Sequence, residues 1–228
     1  FQYFFVVISN LKNEDNFLDI KTYFTEDFTQ KVNIYLPTYY RFEKTKKSLE
    51  SLFEAGKVSK YDVKFYIGDN NTKIDEMREW LKSIRGDDIE VYFGEKNVGK
   101  AMMVNHLSRN ARECDYIFSI DSDMIVLDDQ KDIFDRMIFH LTRIQNCGLI
   151  SSEQLDCCQH WWGQTVDLIN VEGIEVGYSK QCVGIAGGCI CMKQKDWIDV
   201  GMYKENHDIY TGDDGILTKN VNKILGKD

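Results

Sequence analysis

The sequence predicts an α/β domain, a mixed and mostly parallel central sheet flanked by helices, on three observations. From Val32 onward, apolar strand-like runs alternate with segments of helical spacing. The linkers between them are a few residues long, and βαβ alternation of that kind lays the strands parallel with helices on both faces. With 228 residues, 43% hydrophobic and 29% charged, the chain buries a full core as one domain, or as one domain with an appendage.

The elements follow in order. Residues 1–30 open on an aromatic strand-like run and continue into a charged stretch with Leu18, Ile20, Tyr23 and Phe24 at loosely helical spacing, which reads as an N-terminal appendage. Residues 32–36 form a strand ending at Pro37, the only proline in the chain, and residues 42–55 a helix that closes at Gly56. A second strand over 63–67 runs into Gly68-Asp69-Asn70-Asn71-Thr72, and a helix over 74–84 follows. The third strand is expected at 89–93, the third helix at 99–112 and the fourth strand at 116–120. Beyond it come a helix over 133–145, a strand-like 148–152, and an aromatic segment around Trp161 and Trp162. Tryptophan pairs anchor cores or stack on sugar rings, and both uses stand open here. Residues 183–192 are apolar around Gly187-Gly188, a pattern that marks a bulge or a close approach of ligand to backbone. A final helix over 216–225 leaves Asp213 and Asp214 at or just before its N-terminus, where acids also cap helices.

Composition narrows the function. A net charge of −9 argues against holding nucleic acid by bulk electrostatics, though a local basic groove is compatible with it. An acidic enzyme whose anionic ligand arrives with a divalent metal meets no such conflict. The seven cysteines show no regular framework and several lie in apolar context, as reduced core thiols do. The cluster at Cys157, Cys158 and His160 lacks a paired Cys-x-x-Cys and is a poor zinc site. No apolar run approaches the roughly 20 residues of a membrane span. The start at Phe1 with no Met is what a trimmed chain or a fragment is expected to show. The expected location is the cytoplasm, free or peripheral to a membrane.

The most informative stretch is residues 116–129, where Asp121-Ser122-Asp123 lies between the apolar runs 116–120 and 124–127. Unpaired charges placed there would be costly, so a cation is expected to meet them. In extended chain residues i and i+2 share a face about 6.5 to 7 Å apart, close enough for both carboxylates to hold one hard cation such as Mg²⁺ or Mn²⁺. An acidic turn after a core strand is the simpler alternative. In a parallel sheet ligands gather at the carboxyl ends of the strands, so Pro37-Thr38-Tyr39-Tyr40-Arg41, Asp69-Asn70-Asn71-Thr72 and Asp121-Ser122-Asp123 should be neighbours.

The order of these motifs resembles the GT-A fold glycosyltransferases, specifically the inverting, Asp-x-Asp-containing family 2, from about residue 32 to 217. Pro37, Thr38 and Arg41 match the segment after the family's first strand, and Asp69 with Thr72 the turn whose Asp contacts the nucleotide base. Asn97-Val98-Gly99-Lys100 matches the opening of the third helix, Asp121 and Asp123 the Asp-x-Asp, and Gly187-Gly188 the later glycine strand. The Glu-Asp pair carrying the catalytic base corresponds to Asp213-Asp214, with Asp213 in place of Glu.

The resemblance implies a nucleotide-binding half over about 31–129 and an acceptor half over about 130–228. It further implies a metal-dependent transfer of one sugar from a nucleotide-diphosphate sugar, a UDP-sugar first, to an acceptor hydroxyl. Asp123 would ligate the metal directly, with Asp121 acting through water or on the ribose. Asp214 would be the base, Asp69 the reader of uracil, and Pro37, Thr38, Arg41, Asn97 and Lys100 donor contacts. Gly187, Gly188, Trp161 and Trp162 would face the sugar or acceptor. The Gln-x-x-Arg-Trp segment of processive synthases is absent, which favours single transfer. The acceptor stays open among saccharide, lipid-linked glycan, protein and hydroxylated nucleobase. A sugar-1-phosphate nucleotidyltransferase shares the architecture but requires a glycine-rich basic loop after the first strand. A non-catalytic nucleotide-sugar or glycan-binding domain is the third alternative.

Overall fold

The computed structural model describes residues 4–5, 29–144, 147–152, 167–171, 174–178, 188–205 and 213–226. Its centre is a six-stranded sheet whose strands lie in the order 89–93, 62–69, 31–38, 116–120, 189–193 and 150–151. The parallel part comprises β2 (Lys31–Thr38), β3 (Asp62–Asp69), β4 (Ile89–Phe93) and β5 (Tyr116–Ile120). β9 (Cys189–Lys193) runs antiparallel to β5 and to β6 (Ile150–Ser151). A smaller sheet joins β1 (Phe4–Phe5), β8 (Ile174–Tyr178) and β7 (Asp167–Val171). The helices are α1 (Phe42–Val58), α2 (Asp75–Ser83), α3 (Gly99–Asn110), α4 (Ile133–Arg143), α5 (Gln194–Asp199) and α6 (Asp213–Asn220), the last continued by a π-helical turn over Val221–Leu225.

Strand alternation sorts the core into two layers. In β2 and β5, Val32, Ile34, Leu36, Phe118 and Ile120 face the side where α1, α2 and α4 contribute Leu49, Leu52, Met77, Leu81 and Phe134. Tyr35 and Ile117 face the other side, against Met103, Val104, Trp197 and Leu217 of α3, α5 and α6. Strands covered on both faces are near-continuous apolar runs, and β5 is buried at every position, Ser119 included. Each such side chain contributes about 1.5–3 kcal/mol on leaving water.

Several boundaries differ from the sequence expectation, each for a physical reason. Pro37 lies inside β2 rather than ending it, opposite Gly68. The Thr38 carbonyl accepts from the Asn70 N–H, so Thr38 turns toward β3 and Pro37 toward β5, whose pairing stops at Tyr35 and Ser119. A missing N–H costs nothing there. Gly56 does not close α1, which runs on to Val58; a Cβ at Gly56 would sit 2.8 Å from Phe65 Cζ, so glycine admits the β3 ring. The run 124–127 is not uniformly buried: Met124 and Val126 pack inward, while Ile125 and Leu127 are 54% and 44% exposed. The last helix begins at Asp213 and includes Asp214, three residues before the expected start at 216. The remaining ends agree within a few residues, and β4 and β5 coincide with the expected ranges.

The helix that supplies Lys100 is set by close packing on β3. A Cβ at Gly68 would lie 2.5 Å from Met103 Cγ and 3.2 Å from a Leu107 methyl, both on α3. Gly68→Ala is therefore expected to destabilise the fold by ~1–3 kcal/mol through overpacking. Urea unfolding checks this, and an unchanged midpoint would contradict the tight α3–β3 contact.

Candidate active site

The chain passes from β2 to β3 and β4 on one side, then returns to β5 on the other side of β2, so strand order reverses between β2 and β5. Crevices at such switch points are where open parallel sheets take ligands. Thr38 ends one strand and Arg41 follows it, while Asp121 and Asp123 follow the other.

The expected strand-end clusters meet. Asn70 N–H donates to the Thr38 carbonyl at 2.9 Å, and Tyr40 N–H donates to Thr72 Oγ1 at 3.0 Å. Arg41 Nη1 donates to Asp123 Oδ2 at 2.9 Å, joining the β2 turn to the Asp-x-Asp turn. Tyr40 and Arg41 both hold φ near +54°, a left-handed conformation uncommon for side chains of this size and often retained at functional sites. Tyr39 precedes them and forms an exposed edge-to-face pair with Tyr40.

Asp69 ends β3 with its carboxylate fully buried. Thr72 N–H donates to Oδ1 at 3.1 Å and Arg78 Nη1 lies 3.4 Å from Oδ2. Burial pushes the Asp69 carboxyl above its ordinary range, while the Thr72 amide and the Arg78 charge pull the other way. Thr38 is buried, with its hydroxyl 3.5 Å from the Gly68 carbonyl, so it lies beneath the crevice rather than lining it.

Asn97 Oδ1 accepts from Gly99 N–H at 2.9 Å, and Asn70 Oδ1 accepts from Val98 N–H at 3.1 Å. Gly99, at φ 82°, supplies the left-handed turn that brings the chain into α3. Lys100 follows and points at the carboxylates: Nζ lies 2.8 Å from Asp121 Oδ1 and 3.6 Å from Asp214 Oδ1. Burial works against the Lys100 charge, but Tyr203, Asp121 and Asp214 outweigh it and hold the ammonium above the usual lysine range. Burial raises the Asp121 carboxyl, against Lys100 and together with Asp214 and Asp123.

Gly188 is placed beside this cluster, its carbonyl accepting from Asp121 N–H at 2.8 Å. Asp213 opens α6 and Asp214 is its second residue. Asp214 Oδ1 is shielded from solvent and has no hydrogen-bond partner among the described residues. Trp161, Trp162 and Gly187 lie outside the described residues.

The side chains suit a hard divalent cation. Asp121 and Asp123 offer carboxylate oxygens on one turn, and Asp123 is exposed to solvent. Such ions keep several waters and take one or two carboxylates together with substrate phosphates. Among the described residues no group of 3 or more His, Cys, Asp and Glu converges, so these residues form no all-protein cage.

Two participants were missed in the sequence. Arg78 reaches Asp69 from α2 while stacking 4.9 Å from the Phe93 ring centroid, a placement no sequence spacing announces. Tyr203 lies under Lys100, 5.8 Å from Nζ to the ring centroid. Its hydroxyl is 3.2 Å from Ser119 Oγ, and Asn105 holds its backbone N–H and carbonyl at 3.1 and 2.8 Å.

Cys147, Cys189 and Cys191 are buried free thiols and Cys114 is a partly buried one. Burial pushes the Cys114, Cys147 and Cys189 thiols up to about 12, which leaves them protonated and inert. No helix among the described residues is long and apolar enough to cross a membrane.

Residues 33–138 match the family model of Glycosyl transferase family 2, a span that contains Arg41, Asp69, Lys100, Asp121 and Asp123. No curated protein matches the chain significantly. Among solved structures, the chain is similar to a mannosyltransferase, PcManGT from Pyrobaculum calidifontis, in complex with GDP-Man and Mn²⁺. The TM-score is 0.62 at 13% identity, covering 86% of this chain and 52% of that one. GalNAc-T7 with UDP, GalNAc and Mn²⁺ gives 0.59 at 9%, covering 86% and 41%. S. aureus TarS 1-349 gives 0.57 at 14%, covering 84% and 55%. The chain thus spans about half the length of these structures, whose likeness establishes the GT-A fold.

Proposed function

We propose that this family 2-like glycosyltransferase of the GT-A fold moves a sugar from a nucleotide-diphosphate sugar, UDP-sugar first, to an acceptor hydroxyl, with inversion and the help of Mn²⁺ or Mg²⁺. The observation that carries the reading is the meeting of Asp121 and Asp214 on Lys100 in the switch-point crevice, with Asp214 Oδ1 accepting no hydrogen bond from a described residue and lying 3.6 Å from the Lys100 ammonium. A carboxylate oxygen that accepts no hydrogen bond is suited to take a proton. The neighbours carrying GDP-Man or UDP with Mn²⁺ support the donor class.

In this reading Asp69 accepts from the imide of the base, oriented by Thr72 and Arg78. Pro37, Thr38 and Asn97 shape the turns around the nucleotide, and Arg41 and Lys100 meet its phosphates. Asp123 directly, and Asp121 through water or beside the ribose, would hold the cation, which offsets charge developing on the diphosphate. Asp214 takes the proton of the acceptor hydroxyl as that oxygen bonds to the anomeric carbon from the face opposite the diphosphate. The anomeric carbon–oxygen bond to the diphosphate breaks, and its electron pair leaves with the nucleotide. Asp213 supports the base, while Gly187, Gly188, Trp161 and Trp162 contribute to the sugar and acceptor side. The acceptor is a saccharide, lipid-linked glycan, protein or hydroxylated nucleobase.

Donor hydrolysis tests the reading without an acceptor, because water can take the hydroxyl's place. Incubation with UDP- and GDP-sugars and Mn²⁺ should release nucleoside diphosphate. Proton NMR should show the first-formed hemiacetal with the anomeric configuration opposite to the donor's. A retained configuration, or no release from any donor, would sink the proposal.

A further inference from the structure

Lys100 is a cation placed where a helix disfavours one. It is in the first turn of α3, which has no acidic residue to offset the positive end of the helix dipole. Among the described residues it is held by the pair Asp121 and Asp214, at 2.8 and 3.6 Å, and by the ring of Tyr203, itself fixed through Ser119 and Asn105. A second cation arriving at Asp121 must therefore meet a positive charge already bonded to the same carboxylate. A diphosphate changes that balance, since phosphate oxygens are strong partners for a lysine ammonium.

We propose that Lys100 is a resident counter-cation: it occupies Asp121 until the donor's diphosphate draws it off, so that nucleotide and divalent cation bind as a coupled pair. The inference rests on the donor and metal reading given above. By linkage, the factor by which nucleotide raises cation affinity equals the factor by which the cation raises nucleotide affinity. Removing the lysine charge should therefore strengthen cation binding to the free protein and weaken the coupling, a pattern that a merely structural lysine would not produce.

The test is titration of Mn²⁺ into the whole chain, followed by the free-ion electron paramagnetic resonance signal, alone and then with saturating UDP or GDP. Wild type, Lys100→Met and Lys100→Arg are compared, with Lys100→Gln replacing Met if thermal unfolding shows that variant misfolded. Without nucleotide, Lys100→Met is expected to bind Mn²⁺ about fivefold or more tighter than wild type, at the low end of typical site coupling. Its gain in Mn²⁺ affinity on adding nucleotide should be smaller than the wild-type gain, and Lys100→Arg should resemble wild type. Equal or weaker Mn²⁺ binding by Lys100→Met, or an unchanged nucleotide gain, overturns the inference alone. Failure of wild type to bind Mn²⁺ with either nucleotide overturns the metal reading as well, and the two failures are distinct.

Discussion

Asp214→Asn is expected to lower kcat by about 10²–10⁴-fold, the usual contribution of a positioned general base, while leaving nucleotide and Mn²⁺ binding nearly intact. The amide keeps the shape of the side chain and loses the capacity to take the acceptor's proton. Two features make the expectation specific. Among the described residues Oδ1 has no hydrogen-bond partner, and the salt-bridge contact of Asp214 is the 3.6 Å approach to Lys100. Single-turnover nucleotide release alongside calorimetric nucleotide binding separates the two effects. A variant that binds normally and turns over normally would remove Asp214 from the chemistry. One that loses binding in parallel would make it a donor-site residue instead.

The second large effect is expected at the other end of the crevice. Asp123→Ala should abolish the part of nucleotide binding that depends on Mn²⁺, a loss of at least about 10²-fold if second-shell changes alone cost metal sites 10–100-fold. Asp123 is exposed and paired with Arg41 across the switch point, so its removal should leave the fold stable. The variant's thermal midpoint should stay within a few degrees of wild type, whereas its calorimetric response to Mn²⁺ with UDP should vanish. Retained metal-dependent binding would assign the cation to other residues.

How much of this was legible in the sequence can be judged from particular residues. Strand and helix periods located β4 and β5 because those strands are short, apolar and bounded by polar turns. The reversal of strand order was not readable, since local periodicity carries no information about which side of β2 receives β5. Turn residues misled where tertiary packing gave them another use. Gly56 and Pro37 look like breaks, yet one admits Phe65 against α1 and the other uses an unpaired edge of β2.

The carboxylates of the site were visible because Asp69, Asp121 and Asp123 follow apolar strands, and that placement needs a reason. Their cationic partners were not assigned. Arg41 was expected near the nucleotide, but its bond to Asp123 depends on two left-handed residues in a row. The sequence points to Lys100 as a phosphate contact, and its bridging of Asp121 and Asp214 depends on how α3 packs on Gly68 and α6 on the sheet. Long-range ion pairs of this kind follow from the assembled fold and have no signature along the chain.

In the proposed function the crevice between β2 and β5 binds a nucleoside diphosphate together with a divalent cation. Calorimetric titration of UDP, GDP and TDP into the intact protein, with and without Mn²⁺, tests it most directly. One nucleotide, UDP first, is expected to bind with Mn²⁺ and far more weakly without it. Binding of none of the three, or binding indifferent to the metal, would contradict it and leave Asp121 and Asp123 as an acidic turn held by Lys100 and Arg41.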